Sequence, residues 1–165
     1  MRLRQYIPEE FCLSCKGCCR FAQQGSLWAP ALLREELASL VCDDKIPPMA
    51  VARDTTLRLV EVREGNVYVC PLFDTRAARC NLYTSRPFEC QLYPFLVLRK
   101  GRNIFLALHT QCRFVAAHGD ESGFKEYGAY MLDFFQKQGL VCIKNNPHIA
   151  REYPREEIRI IAPLL

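Results

Sequence analysis

Four of the chain's ten cysteines fall inside eight residues, Cys12-Leu13-Ser14-Cys15-Lys16-Gly17-Cys18-Cys19. Cysteines three apart in a tight turn bring their sulfurs close enough to share one ion or cluster. Gly17 permits a backbone conformation that other residues resist, as a sharp ligand loop often requires. Lys16 and Arg20 add positive charge, which lowers thiol pKa. Adjacent side chains diverge, so Cys18 and Cys19 are expected to face two different sites, or one ligates while the other supports it. Cys12, Cys15 and Cys18 match the first three positions of the bacterial ferredoxin run. The fourth cysteine of that run is absent and no second run follows, which argues against a ferredoxin proper.

Disulfides and metal sites compete as explanations for so many thiols, and the compartment decides between them. Residues 1–10, Met1-Arg2-Leu3-Arg4-Gln5-Tyr6-Ile7-Pro8-Glu9-Glu10, have no apolar core and carry two acids, so they do not read as a signal peptide. No run approaches the roughly 20 apolar residues of a membrane span. The expected compartment is the cytoplasm, where clustered cysteines are metal ligands or catalysts more often than disulfides. The formal charge of +4 counts every cysteine as a neutral thiol. Bound thiolates would shift that balance downward, and the Lys and Arg residues are scattered, so no nucleic-acid partner is expected. A protein partner or substrate is left open.

A length of 165 residues suits one domain, 1–165. Residues 1–28 read as an irregular, cysteine-bearing arm. Pro30 is expected to open a helix, with Leu33, Leu37, Leu40 and Val41 on one apolar face. Leu57 to Val62 and Val67 to Cys70 are β-rich runs around Arg63-Glu64-Gly65-Asn66, which predicts a hairpin. Phe95 to Arg99 and Asn103 to His109 predict a second, around Lys100-Gly101-Arg102. Phe124 to Gln138 carries a 3.6-residue apolar period, and Gly139 sits where a C-terminal cap belongs. The tail from Pro154 is short and apolar towards its end. The sum is a small α+β domain with two short β-hairpins, a few helices and long irregular loops tethered by metal, ending in a helical region over 120–165.

The second cysteine-bearing segment is Cys80-Asn81-Leu82-Tyr83-Thr84-Ser85-Arg86-Pro87-Phe88-Glu89-Cys90-Gln91-Leu92-Tyr93-Pro94. Cys-x-Leu-Tyr occurs twice, ten residues apart, which suggests two similar ligand turns. Pro87 can begin a short helical turn holding Cys90, while Arg86 is pushed towards an extended conformation. Arg86 is then free to pair with a carboxylate or to lie beside the thiolates. Tyr83 and Tyr93 can cover the site and donate hydrogen bonds to sulfur.

These two segments together resemble the YkgJ-type cysteine-cluster family, for which zinc or iron chelation is proposed. Its pattern is Cys-x-x-Cys-x-x-Cys-Cys followed by Cys-x-x-Tyr-x-x-Arg-Pro-x-x-Cys-x-x-Tyr-Pro. Cys12, Cys15, Cys18 and Cys19 supply the first part; Cys80, Tyr83, Arg86, Pro87, Cys90, Tyr93 and Pro94 supply the second. Cys70-Pro71 resembles the Cys-Pro usually found ahead of it. The resemblance spans about 11–112. It departs from the family at Cys112, followed by Arg113-Phe114 rather than Pro-Gly, and at the glycine of the first loop, one place later than is common.

The implied ligands are Cys12, Cys15, Cys18, Cys19, Cys70, Cys80, Cys90 and Cys112, enough for two four-thiolate sites or for one cluster beside one structural ion. His109, three residues before Cys112, is an alternative to it. All-thiolate donors suit zinc and iron–sulfur alike; the ferredoxin-like spacing tilts the choice to an iron–sulfur cluster over Zn2+. The family includes flagellin lysine N-methylase, which is similar to this chain in the cysteine region alone, so the resemblance allows a protein-modifying or redox activity. No glycine-rich S-adenosylmethionine loop, P-loop or radical Cys-x-x-x-Cys-x-x-Cys motif is present. Cys42 and Cys142 read as small buried hydrophobes. His118 and His148 receive no role. Asp43-Asp44 and Glu156-Glu157 read as solvated surface.

Overall fold

Pro8 fixes where the first regular element starts. Its carbonyl accepts the Cys12 N–H at 3.1 Å, and helix α1 runs over Glu9–Cys15 with Glu9 and Glu10 in its first turn. Acids there favour a helix N-terminus. The computed structural model describes residues 2–15, 17–62 and 67–165. They group into two compact units, Pro8–Gln91 and Leu92–Leu165, the second joined by Leu3–Ile7. The chain is α+β, with helices and three small antiparallel sheets. Among the described residues no helix is long and apolar enough to cross a membrane.

In the first unit, the cysteine arm is more ordered than its sequence suggests. α1 buries no residue, which is why no apolar period announced it. A single 3-10 turn at Gly17–Cys19 leads into β1, Arg20–Phe21. Pro30 opens no helix. The Pro30 carbonyl accepts the Leu57 N–H at 2.8 Å and the Leu32 N–H donates to the Thr55 carbonyl at 3.0 Å, so this segment is held extended. Helix α2 therefore begins later, at Arg34–Cys42.

Strands β2 (Val60–Val62) and β3 (Val67–Val69) form the first expected hairpin, shorter than its β-rich runs. Its turn, Arg63-Glu64-Gly65-Asn66, lies outside the described residues. β1 joins on the other side of β3, Arg20 opposite Val69 and Phe21 opposite Tyr68. β4 (Phe73–Asp74) and β5 (Arg79–Cys80) make a second small ladder, and α3 spans Phe88–Leu92. Leu32, Leu40, Ile46, Leu57, Val69 and Phe73 form the centre of this unit's core.

The second unit is a three-stranded antiparallel sheet ordered β6-β7-β8 with helices packed on it. β6 (Phe95–Lys100) and β7 (Asn103–His109) form the second expected hairpin. Lys100 pairs with Asn103 across Gly101-Arg102, and Gly101 adopts φ 61°, a left-handed conformation that only glycine takes at little cost. The apolar tail becomes β8, Ile158–Pro163, paired with β7 through a bulge at Leu106/Ala107. Helix α4 covers Arg113–His118 and α5 covers Ser122–Phe134, with Phe124, Tyr127, Met131 and Phe134 buried as the period predicts. The Tyr127 hydroxyl donates to the Arg4 carbonyl at 2.9 Å, and Tyr6 stacks on Tyr127.

Gly139 does not stop the helix. A π turn at Phe135–Gly139 continues into α6, Leu140–Asn145, and Gly139 keeps helical dihedrals of −66° and −27°. Its role is space. A Cβ there would collide with the Phe135 ring and stand 2.9 Å from Phe134 Cε1. The stop falls instead at Asn146-Pro147, where Asn146 is buried and bonds the Cys142 carbonyl. Gly139→Ala is expected to cost about 1–3 kcal/mol by overpacking, read by urea denaturation; unchanged stability would refute the close-packing account.

His109 is largely buried on β7. Its Nδ1 lies 2.9 Å from the Tyr93 hydroxyl and its Nε2 lies 3.6 Å from Glu157 Oε2. Glu157 thus faces His109 rather than only solvent. Burial pulls the His109 pKa below its ordinary 6.5, outweighing the opposing pull of Glu157. A depressed histidine binds protons more readily when unfolded, so its contribution is complete above pH 6.5 and is lost as pH falls towards the folded value. Melts across this range should show the wild type losing more stability on acidification than His109→Gln. Parallel curves would disprove the assignment.

Candidate metal centre

Backbone pairing brings three cysteine-bearing segments of the first unit together. The Cys70 N–H donates to the Cys19 carbonyl at 3.1 Å, extending the β1–β3 ladder into the first cysteine loop. Cys70-Pro71 then turns: the Phe73 N–H returns to the Cys70 carbonyl at 2.9 Å, and Phe73 pairs with Cys80 in the next ladder. A 3-10 turn at Tyr83–Ser85 follows. Arg86 is extended at φ −52°, ψ 144°, and α3 begins directly after Pro87 and carries Cys90. Both local expectations from Pro87 hold.

Two carboxylates that sequence reasoning passed over fix α3. Glu36 on α2 accepts the Leu33 N–H at 2.9 Å with one oxygen and the Phe88 N–H at 2.6 Å with the other. Glu89 accepts the Ala31 N–H at 2.7 Å. Burial raises the Glu36 pKa while these backbone bonds oppose the rise. The only sequence signal was a glutamate three residues after the helix boundary, without the Ser or Thr that usually marks a capping box.

The side chains of these segments act on one another. Arg86 Nη1 lies 3.6 Å from Cys12 Sγ, and its guanidinium lies 4.2 Å from the centre of the Tyr83 ring. Of the two roles open to Arg86, the one beside sulfur is realised. A hydrogen bond with Cys18 and burial push the Cys12 thiol well above its usual range, with Arg86 and the Tyr83 hydroxyl pulling the other way. Burial raises Cys70 to about 12 and raises Cys80, and the charges of Cys80 on Cys70 and of Cys12 on Cys80 add to this. Cys90 is raised furthest by burial, then by Cys70, Cys18 and Cys80. Cys12, Cys18, Cys70, Cys80 and Cys90 therefore form one electrostatic neighbourhood. Among the described residues no three His, Cys, Asp or Glu side chains already surround a single ion position.

The remaining candidates stand differently. Cys18 is exposed whereas Cys19 packs against the unit's apolar core, the divergence expected of neighbours. Gly17 is not in a left-handed conformation; a Cβ there would meet Cys15 Sγ at 3.4 Å, so the glycine keeps a surface open beside that sulfur. Lys16 lies outside the described residues. Cys112 belongs to the second unit, where it is buried at the start of α4. Tyr93 is in that unit too, its hydroxyl on His109. Cys42 is exposed and Cys142 only half-buried, because each sits on an outward helix face, so neither is the buried hydrophobe expected.

The sequence model of the CxxCxxCC family, described as "Putative zinc- or iron-chelating domain", matches residues 11–113, more than half of the 165. The chain belongs to the CxxCxxCC family. No curated protein and no solved structure matches it. The CxxCxxCC match begins beside Cys12 and ends just past Cys112, so it takes in all eight implied ligand cysteines and Cys42, and leaves out Cys142.

Glu36→Ala should destabilise the chain by about 2–4 kcal/mol, because two backbone donors lose their acceptor at once. Glu35→Ala, on the same helix but exposed, is the control in the same denaturation series. Equal effects would show that Glu36 holds nothing.

Proposed function

We propose that this protein is a metal-binding protein whose cysteine thiolates hold an iron–sulfur cluster, zinc or both, the ligands drawn from Cys12, Cys15, Cys18, Cys19, Cys70, Cys80, Cys90 and Cys112, enough for two four-thiolate sites or for one cluster beside one structural ion. The observation that carries the reading is the elevation of four thiols, Cys12, Cys70, Cys80 and Cys90, in one neighbourhood that Cys18 also joins. Thiols so placed stay protonated by themselves, because several anions cannot be buried together beside one guanidinium. A soft cation reverses this balance: it replaces the protons and neutralises the sulfurs. The donor chemistry therefore fits zinc or iron.

Arg86 and Tyr83 are the supporting groups. Both already lower the Cys12 thiol, one through charge and the other by donating a hydrogen bond to sulfur. Tyr93 is the third such candidate, by its place in the Cys90-x-x-Tyr93 turn. When bound, an iron–sulfur cluster would supply one-electron chemistry. The protein's own part is to bury the thiols, tether three segments through backbone bonds and hold one cation against them.

The preference for iron–sulfur rests on the ferredoxin-like spacing of Cys12, Cys15 and Cys18. A modifying activity of the methylase kind rests on resemblance in the cysteine region alone. The second reading is a zinc-stabilised module that binds a protein partner, favoured by the pairing of small ladders that a closed structural ion would brace. A cytoplasmic, reducing setting suits both.

Anaerobic purification with metal analysis separates them. A brown protein whose visible absorbance bleaches with dithionite supports iron–sulfur. A colourless protein with near-stoichiometric zinc that unfolds with chelator supports the module. Cys80→Ser and Cys90→Ser should each lose most of the metal and melt earlier, whereas Cys42→Ser and Cys142→Ser retain it. Reduced protein that is metal-free yet fully folded would overturn the proposal.

A further inference from the structure

We propose that the groove between α5 and β8 in the second unit binds a small apolar carboxylate. Phe95, Leu108 and Arg159 are direct neighbours across β6, β7 and β8. α5 covers the Phe95 end of this row. Phe124 stacks on Phe95 with ring centroids 5.7 Å apart, and Tyr127 meets it edge-on at 5.6 Å. Towards β8 the helix presents Lys125, Gly128, Ala129 and Leu132, spaced three and four apart as one stripe. Gly128 and Ala129 are too small to fill the space beneath them.

What remains is a half-open cavity of about 190 Å³, somewhat larger than the roughly 150 Å³ engineered void that holds benzene. Its apolar walls are Phe95, Leu108, Phe124, Leu132 and Ile161, and its charged lining residues are both cations, Lys125 and Arg159. Among the described residues neither of the two is paired with a carboxylate. An apolar cavity with two cations and no acid selects an apolar body bearing one negative group. Arginine's planar fork matches a carboxylate, which fixes the head while the walls take the tail. The volume admits one aromatic ring or a short chain. The site uses no cysteine, so it stands apart from the metal reading.

The test is calorimetric titration of the full chain, with whatever metal it carries as isolated, using octanoate and neutral octanamide as probes. Octanoate should bind saturably and about tenfold tighter than octanamide, the difference of one charge-assisted contact. The exposed pair Lys125→Gln and Arg159→Gln should reduce octanoate to the octanamide level and leave octanamide unchanged. Ala129→Leu, at an exposed helix position, should abolish both while leaving the circular-dichroism melt unaltered. Absence of saturable binding, equal affinity for the two probes, or octanoate binding untouched by the double substitution would each overturn the proposal.

Discussion

The first unit depends on an electrostatic problem: several thiols share a half-buried neighbourhood in which none can easily carry charge. Burial is the largest cause that raises Cys70 to about 12, and neighbouring sulfurs make ionisation harder still. Arg86 is the protein's fixed answer, a single guanidinium against Cys12 and over Tyr83. Among the described residues this one guanidinium cannot compensate several buried thiolates at once, which favours the protonated thiols.

The backbone positions these cysteines without sulfur. Cys70 is positioned by its own N–H on the Cys19 carbonyl and Cys80 by its ladder with Phe73, both independent of side-chain charge. α3 is too short to persist alone, and Glu36 and Glu89 supply acceptors from outside it. Half-buried carboxylates thus do for this short helix what an apolar face does for α5. The cysteine-bearing turns are thus positioned by backbone hydrogen bonds.

What the sequence revealed follows from which signals are local. The cysteine spacing, the Pro87 turn, the Gly101 hairpin and the buried face of α5 each depend on a few adjacent residues, and each appears as expected. The misread elements are governed by partners far along the chain. Pro30 is extended because Leu57 lies against it; the tail from Pro154 is a strand because β7 has a free side; Gly139 continues the helix because two phenylalanine rings close over it. α1 failed to declare itself because it buries nothing. For the candidate site, residue types were legible and their grouping was not: nothing in the spacing separates Cys18 from Cys19, or Cys112 in the second unit from the seven candidate ligand cysteines of the first.

Leu3–Ile7 belongs to the second unit although eighty-four residues of the first, Pro8–Gln91, intervene before the rest of that unit begins. The Tyr127 bond to Arg4 spans 123 positions. During synthesis this short strap must wait, unpartnered, until α5 has emerged, while the first unit already has every residue it uses. Such long closures are slow to form. The order of assembly is therefore built into the threading: the cysteine-rich unit can gather its sulfurs first, and the sheet-and-helix unit is completed last, when the beginning of the chain is captured by its end.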